Sequence, residues 1–221
     1  MSKEKAVAVV PAPTIITIKK ANMQQVALII VGTSPYVQHR FSDKARKQII
    51  ATQEAGSQAK KGKQREAKDF DEVYRNATHL SQEGWMGIPA SAFRTACIDV
   101  CRAVGFQMTK AKMSIFCEAD GFDPEDGTPM VKFTKGTPTR HVVHARNDNG
   151  GIDIRARPMW APGWEATVRL TFDGDQFTAS DVANLLDRAG RQVGVGEGRA
   201  FSRNSAGCGW GSFKVKGTAN G

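Results

Sequence analysis

The sequence predicts an α+β fold: an antiparallel sheet with two helices on one face and a long basic insertion. Three observations carry this. Residues 25–31 (QVALIIV) and 165–172 (EATVRLTF) are strand-length runs rich in β-branched side chains. Residues 88–105 repeat apolar side chains at helical spacing. Residues 42–82 change composition, with many cations and few large apolar residues.

Taken in order, residues 1–13 read as a flexible arm, and residues 14–216 as one domain interrupted at 42–82, followed by a short tail over 217–221. Residues 14–20 (TIITIKK) alternate and read as a strand or strand edge. The run 25–31 reads as a better strand, buried on both faces. Ser34-Pro35 then breaks the chain, which turns away through Phe41. The insertion carries Lys44, Arg46, Lys47, Lys60, Lys61, Lys63, Arg65 and Lys68, with Gly56 and Gly62 interrupting it. A solvated loop is the plain alternative there, but loops of this length are usually functional or disordered.

The first helix starts at Pro89 and Ser91 and stops at Gly105. Phe93, Ala96, Cys97, Val100, Cys101 and Val104 form its apolar stripe, which makes both cysteines core residues. Residues 111–119 read as a strand and 120–136 as a turn-rich connection. Residues 139–146 and 151–157 read as a hairpin around Asn147-Asp148-Asn149-Gly150-Gly151. After the strand 165–172, Ser180 reads as the N-cap of a second helix whose stripe is Val182, Leu185, Leu186 and Ala189, with Gly190 as its end. A glycine-rich run, 194–211, leads to a last strand at 212–215. The resulting order, β-α-β-β-α-β, is ferredoxin-like or RRM-like.

Charge narrows the function. The chain has 31 Lys and Arg against 22 Asp and Glu, a formal +9. A surplus of this size favours polyanions, nucleic acid ahead of anionic membrane. Residues 1–13 lack the charged-then-apolar order of a signal peptide, and no apolar run approaches the ~20 residues a membrane span needs. Cys97, Cys101, Cys117 and Cys208 have no disulfide-framework spacing. A reducing cytoplasm and no membrane partner are therefore expected.

Three surfaces are candidates for binding a strand. Gly194 to Gly211 lets main-chain N–H groups approach phosphates, with Gly196, Arg199 and Arg203 in the run. Turns that merely shape a connection are the alternative. The first-helix start offers free N–H groups beside Ser91 and Arg94; a simple capped helix is the alternative. The hairpin carries Arg140, His141, His144, Arg146, Arg155 and Arg157, with Trp160 and Trp164 after it. Alternation puts Arg155 and Arg157 on one face. Aromatics beside arginines suit base stacking, though a core or subunit contact is the stronger reading of the tryptophans.

Enzyme chemistry finds less support. His141 and His144 fall on opposite strand faces, no cysteine pair has zinc spacing, and no nucleophile or HExxH motif appears. The acidic turn of Asp120, Asp123, Glu125 and Asp126 lacks the order of a calcium loop and reads as solvated. No cofactor, no metal and no catalysis are expected.

Three segments together carry a family resemblance: residues 26–42 (VALIIVGTSPYVQHRFS), 87–102 (GIPASAFRTACIDVCR) and 185–215 (LLDRAGRQVGVGEGRAFSRNSAGCGWGSFKV). They cover about half of the chain. The second resembles the IPGSSLKGALR-type helix start of the RAMP superfamily of CRISPR systems, and the third its closing helix, glycine-rich loop and terminal strand. Ala90-Ser91 stands for the family's Gly-Ser, and Arg94-Thr95 for its Lys-Gly. The chain looks most like the RRM-like backbone subunit of CRISPR effector complexes, in a short, phage-encoded form among the options.

That resemblance implies a non-catalytic subunit that binds guide RNA, or single-stranded DNA. Its copies would associate along the strand, with other effector-complex subunits as partners. Contacts would come from His39, Arg40, Lys44, the insertion, Ser91, Arg94, the hairpin arginines and the glycine-rich loop. Two alternatives stay open. One is a metal-independent endoribonuclease using His39, with Arg40 or Lys44 stabilising charge. The other is a structural or inhibitory assembly protein that reuses the fold.

Overall fold

The computed structural model describes residues 18–41, 43–54, 69–146, 152–202 and 207–218. Alternation along two strands sets its layers. In β9 (Glu165–Asp173) every second residue is fully buried: Ala166, Val168, Leu170 and Phe172. In β1 (Met23–Gly32) the buried residues are Leu28, Ile30 and Gly32, with half-buried Ala27, Ile29 and Val31 between them. Alternation rather than a doubly buried run means that one sheet face is packed and the other open. The expectation that β1 is buried on both faces is corrected accordingly.

The packed face is covered by two amphipathic helices. These are α3 (Ala90–Ala103) and α5 (Ala179–Gln192), which also pack against each other. Phe93, Ala96, Cys97, Val100 and Cys101 of α3 are buried, as are Val182, Leu185, Leu186 and Ala189 of α5. Val104, read as the end of the α3 stripe, is instead the exposed residue capping the helix, which stops at Ala103. Burial pushes the Cys97 thiol far up, as expected of a core cysteine. The N-cap of α5 is Thr178 rather than Ser180. Its hydroxyl accepts from the Asp181 N–H, while the Asp181 carboxylate accepts from the Thr178 N–H, a reciprocal capping box. Gly190 is not the stop either. It lies inside the helix, where an added Cβ would stand 2.3 Å from the Phe213 carbonyl oxygen, so it allows β10 (Phe213–Thr218) to approach.

The main sheet runs β10-β1-β9-β6-β3, with β6 at Pro129–Lys135 and β3 at Gly87–Pro89. All these pairings are antiparallel. The chain order β1-α3-β4-β9-α5-β10, with β4 at Ile115–Cys117, gives the expected α+β, RRM-like arrangement. The slot beside β9 is shared: β4 pairs Leu170–Phe172 and β6 pairs Glu165–Ala166. Two readings of this region are corrected. Residues 108–114 form helix α4 (Met108–Ser114) rather than the start of a strand. Residues 120–136, read as turns, contain β5 (Gly121–Phe122) and β6. Met130 and Val131 of β6 are fully buried, an apolar pair too short to stand out among the flanking Gly, Pro and Asp.

A second sheet, β2-β8-β7, carries the hairpin: β7 (Pro138–Arg146), β8 (Ile152–Trp160) and β2 (Tyr36–Val37). An aromatic cluster joins the two sheets. Phe133 stacks on Trp160 at 4.5 Å between centroids, and Tyr36 and Trp164 close around them. Trp160 and Trp164 are thus core residues. The insertion contains α1 (Asp43–Glu54) and α2 (Phe70–Asn76), and α2 packs on β8. Its final residues, Ala77, Thr78, His79 and Ser81, are buried in the body of the fold. The readings of residues 1–13, and of most of the 14–20 strand, fall outside the described residues; 18–20 form no regular element.

Candidate functional site

The site begins with the segment leaving β2. Gln38 is buried, donates to the Gly87 carbonyl at 2.8 Å and accepts from the His79 N–H at 2.9 Å. The Gln38 N–H also donates to the Pro158 carbonyl at 3.2 Å and the Arg40 N–H to the Ala77 carbonyl at 3.0 Å, which fixes the backbone on either side of His39. The glycine-rich loop then folds over this segment. The Glu197 N–H bonds the Val37 carbonyl at 2.9 Å, the Gly211 N–H the Pro35 carbonyl at 2.6 Å, and the Val195 N–H the Gly211 carbonyl at 3.0 Å. Gly196 fits only because it has no side chain, since a Cβ there would lie 2.5 Å from the Tyr36 ring.

Held this way, the loop faces the first turns of α3. Ser91, Ala92, Thr95, Ala96 and Asp99 on one side, and Val193 to Gly196 with Arg199 on the other, line a cleft of about 220 Å³. Ser91 and the glycine-rich loop were separate candidates in the sequence, and the fold makes them two walls of one cleft. The Arg199 guanidinium donates to the Gly196 carbonyl at 3.1 Å, which holds it at the rim.

The hairpin supplies the neighbouring surface. His141 pairs with Arg157 and Val143 with Arg155 across β7 and β8. Cross-strand partners share a face, so His141, Arg155 and Arg157 lie together. They meet the loop at Glu197, which is ion-paired with Arg157, 3.8 Å from an Arg155 Nη1 and 3.7 Å from His39 Nδ1. Trp210 closes the cluster. Its ring lies edge-on to His141 at 5.7 Å, and the Arg157 guanidinium sits 6.0 Å from its centroid. His144 points to the other face, as alternation requires.

Burial lowers the His39 pKa; Glu197 opposes that, and Arg155 and Arg157 add to it. Burial, with Arg157, lowers that of His141. Both imidazoles are therefore neutral at pH 7. An unfolded chain takes up protons at these histidines first as pH falls below about 6.5. Their contribution to stability is complete above that value and is lost as pH drops toward the folded values. The melting temperature should fall between pH 7 and 5. A His39→Gln, His141→Gln double variant should show a shallower fall, measured by thermal denaturation across that range. An equal slope in the variant would rule the account out.

Several expected contacts lie elsewhere. Arg40 is 6% exposed, with Nε 2.8 Å from Asp123 and an Nη2 2.5 Å from Glu125. His79 Nδ1 lies 3.0 Å from the same Asp123, itself 2% exposed. In the acidic turn read as solvated, Asp120, Glu125 and Asp126 are exposed but Asp123 is buried against Arg40. Two carboxylates, Asp123 and Glu125, hold the Arg40 guanidinium and take it off any surface a strand would touch. His79, Asp123 and Asp126 have ligand atoms within 4.8 Å of one another. The Asp123 oxygens are engaged by Arg40, His79 and the Glu125 N–H, so a cation would have to displace them.

Arg94 turns away from its helix start. It donates to the Lys112 and Ile115 carbonyls at 2.6 and 2.9 Å, satisfying the end of α4, and lies 5.3 Å from the centre of the Phe116 ring. Arg140 is on the opposite hairpin face from Arg155 and pairs with Asp71 of α2. Arg46 and Lys47 are exposed on α1, Arg46 reaching the Glu125 carbonyl at 3.5 Å. Lys44 lies on the same helix. Lys60, Lys61, Lys63, Arg65 and Arg203 fall outside the described residues. Sequence reading missed Thr95, Glu197 and Trp210, because nothing local marks a residue that matters through a fold contact.

No protein-family model matches the chain, and no curated protein matches it. Among solved structures, a chain from the cryo-EM structure of the Type III-B Cmr-beta bound to cognate target RNA is similar, with a TM-score of 0.49 and 12% identity. The match covers 90% of this chain and 60% of that one, so this chain spans about three fifths of its length. None of the helices described is long and apolar enough to cross a membrane.

Proposed function

We propose that this protein binds single-stranded nucleic acid, RNA in the first instance, through its sugar–phosphate backbone and without catalysing a reaction on it. The observation that carries the reading is the convergence of the α3 start and the glycine-rich loop on one cleft, continuous through Gly196 and Glu197 with the Arg155–Arg157 face of the hairpin. Main-chain N–H groups at a helix start and a glycine-rich turn suit phosphate oxygens, and arginines beside an indole suit a strand with exposed bases. The net +9 adds long-range attraction. The three-segment RAMP resemblance supports the same partner, and from it we infer that copies stack along the strand.

The test is fluorescence anisotropy with a labelled single-stranded RNA over a range of salt. Affinity should fall with salt at a log–log slope of about −0.7 per phosphate contacted. Thr95 is exposed in the cleft, so Thr95→Glu should fold normally. By like-charge repulsion it should weaken binding roughly tenfold or more. Absent or salt-insensitive binding would sink the reading.

One observation favours a second reading, a metal-independent endoribonuclease. His39 is neutral and partly exposed, and Arg155 and Arg157 lie close enough to stabilise developing charge. RNA cleavage in the presence of chelator that His39→Ala removes would favour it. An inert wild type would end it.

A further inference from the structure

The basic face of the hairpin is not simply presented to solvent. Its two arginines and His39 converge on one carboxylate, that of Glu197. The carboxylate satisfies them incompletely. Arg157 Nε is buried without a hydrogen-bond partner among the described residues, although an Nη1 of the same guanidinium pairs with Glu197 Oε1. Glu197 Oε2 and His141 Nδ1 are also buried without hydrogen-bond partners. Three such atoms in one cluster call for a physical reason, because each carries a desolvation penalty.

Geometry supplies one. A guanidinium fork is matched by two acceptor oxygens side by side, as in a carboxylate met square-on or a phosphate. Glu197 approaches Arg157 from the loop through one oxygen and leaves the other toward His39. A tetrahedral phosphate group carries more acceptor oxygens, in three dimensions. It could take both edges of the Arg157 fork while facing Arg155 and His39. The position opens to solvent on one side: the Glu197, Arg155 and His39 side chains are 31%, 30% and 38% exposed, while Arg157, 5% exposed, forms its floor and is reached only where Glu197 now stands. The Glu197 backbone is tied to Val37, so its carboxylate can leave by side-chain rotation with the loop in place.

We propose that Glu197 occupies a phosphate site built by Arg155, Arg157 and His39, and that a phosphodiester of the bound strand displaces it. This rests on the nucleic-acid reading above and deepens it. Glu197 competes with the ligand, so the protein holds a strand less tightly than its cations alone would allow. It also keeps Arg157 paired, and a buried arginine without a partner is costly.

The experiment compares wild type, Glu197→Gln and Arg155→Ala in two assays. The first is single-stranded RNA binding by anisotropy. The second is the melting temperature as a function of inorganic phosphate. Glutamine keeps the shape and removes the competing charge. Glu197→Gln should bind RNA about tenfold more tightly. Its melting temperature should rise with phosphate concentration by mass action, well beyond the rise in wild type. Arg155→Ala should bind more weakly, with a salt slope shallower by about 0.7.

If RNA binds but Glu197→Gln binds no more tightly and phosphate does not single it out, the displacement proposal is overturned while strand binding stands. If no variant binds RNA yet phosphate selectively stabilises Glu197→Gln, the anion site stands and the strand reading falls. Should Glu197→Gln not fold, Arg155→Ala decides. Weaker RNA binding with an unchanged melting temperature supports the site, and unchanged binding overturns it.

Discussion

Replacing Gly211 by alanine is expected to unfold the glycine-rich loop and remove strand binding with it. Gly211 has φ +67°, a backbone region that side chains other than glycine rarely adopt. A Cβ there would also stand 1.7 Å from the Val195 carbonyl oxygen, which is backbone and cannot rotate away. The residue makes two main-chain bonds at this point, donating to Pro35 and accepting from Val195. Conformational strain and overpacking together should cost about 3 kcal/mol. For a chain of this size that is roughly 10 °C in melting temperature. Because the same bonds hold the loop against α3, RNA affinity should fall further than the change in stability explains. Calorimetry and anisotropy on one sample separate the two. A Gly211→Ala protein that melts like wild type would refute the account of the loop.

Asp123→Ala should be as damaging by an unrelated route. Asp123 is the buried carboxylate between Arg40 and His79, and its side chain also accepts the Glu125 N–H. Deleting it leaves the nearly buried Arg40 guanidinium with only Glu125, which is half exposed. Breaking a buried pair by removing one partner typically costs about 3–5 kcal/mol, chiefly from the charge left behind. Replacing Arg40 with Met, which removes the orphaned charge as well, should recover part of that loss in the Asp123→Ala background. Chemical denaturation of the single and double variants checks this. If the double variant is no more stable than Asp123→Ala, the buried charge is not the cause. Neither change should alter the salt slope of RNA binding, because Arg40 lies outside the groove.

These two cases mark where sequence reading succeeds and where it stops. The stripe of α3 and the alternation of β9 were legible because each repeats one local rule over many residues. What could not be read was which cation meets which anion. Arg40, Arg94, Arg140 and Arg157 look alike in sequence. The fold gives one to the buried Asp123, one to a helix end, one to α2 and one to Glu197. Asp123 sits in a run of acidic and turn residues that reads as solvated, yet contacts with Arg40 and His79, distant in the chain, bury it. β6 was lost for a similar reason, since its two buried residues, Met130 and Val131, gain their meaning from pairing with β3 and β5 and not from their neighbours in the chain.

The central pairing of the sheet has a consequence for how the molecule comes into being. β1 and β9 lie side by side at its heart, yet Ile30 and its partner Ala166 are roughly 140 residues apart in the chain. During synthesis the VALIIV stretch of β1 emerges well before β9. It must wait for roughly 140 further residues before its neighbour exists. Topology of this kind slows folding, because a large loop has to close before the strands reward it. Meanwhile the apolar edge is open to any other extended chain, a nascent copy of the same protein included. Production of the protein is thus a race between closing one long loop and meeting a stranger. Lys19 and Lys20, just ahead of β1, place like charges at one end of that edge and so disfavour the approach of a second copy.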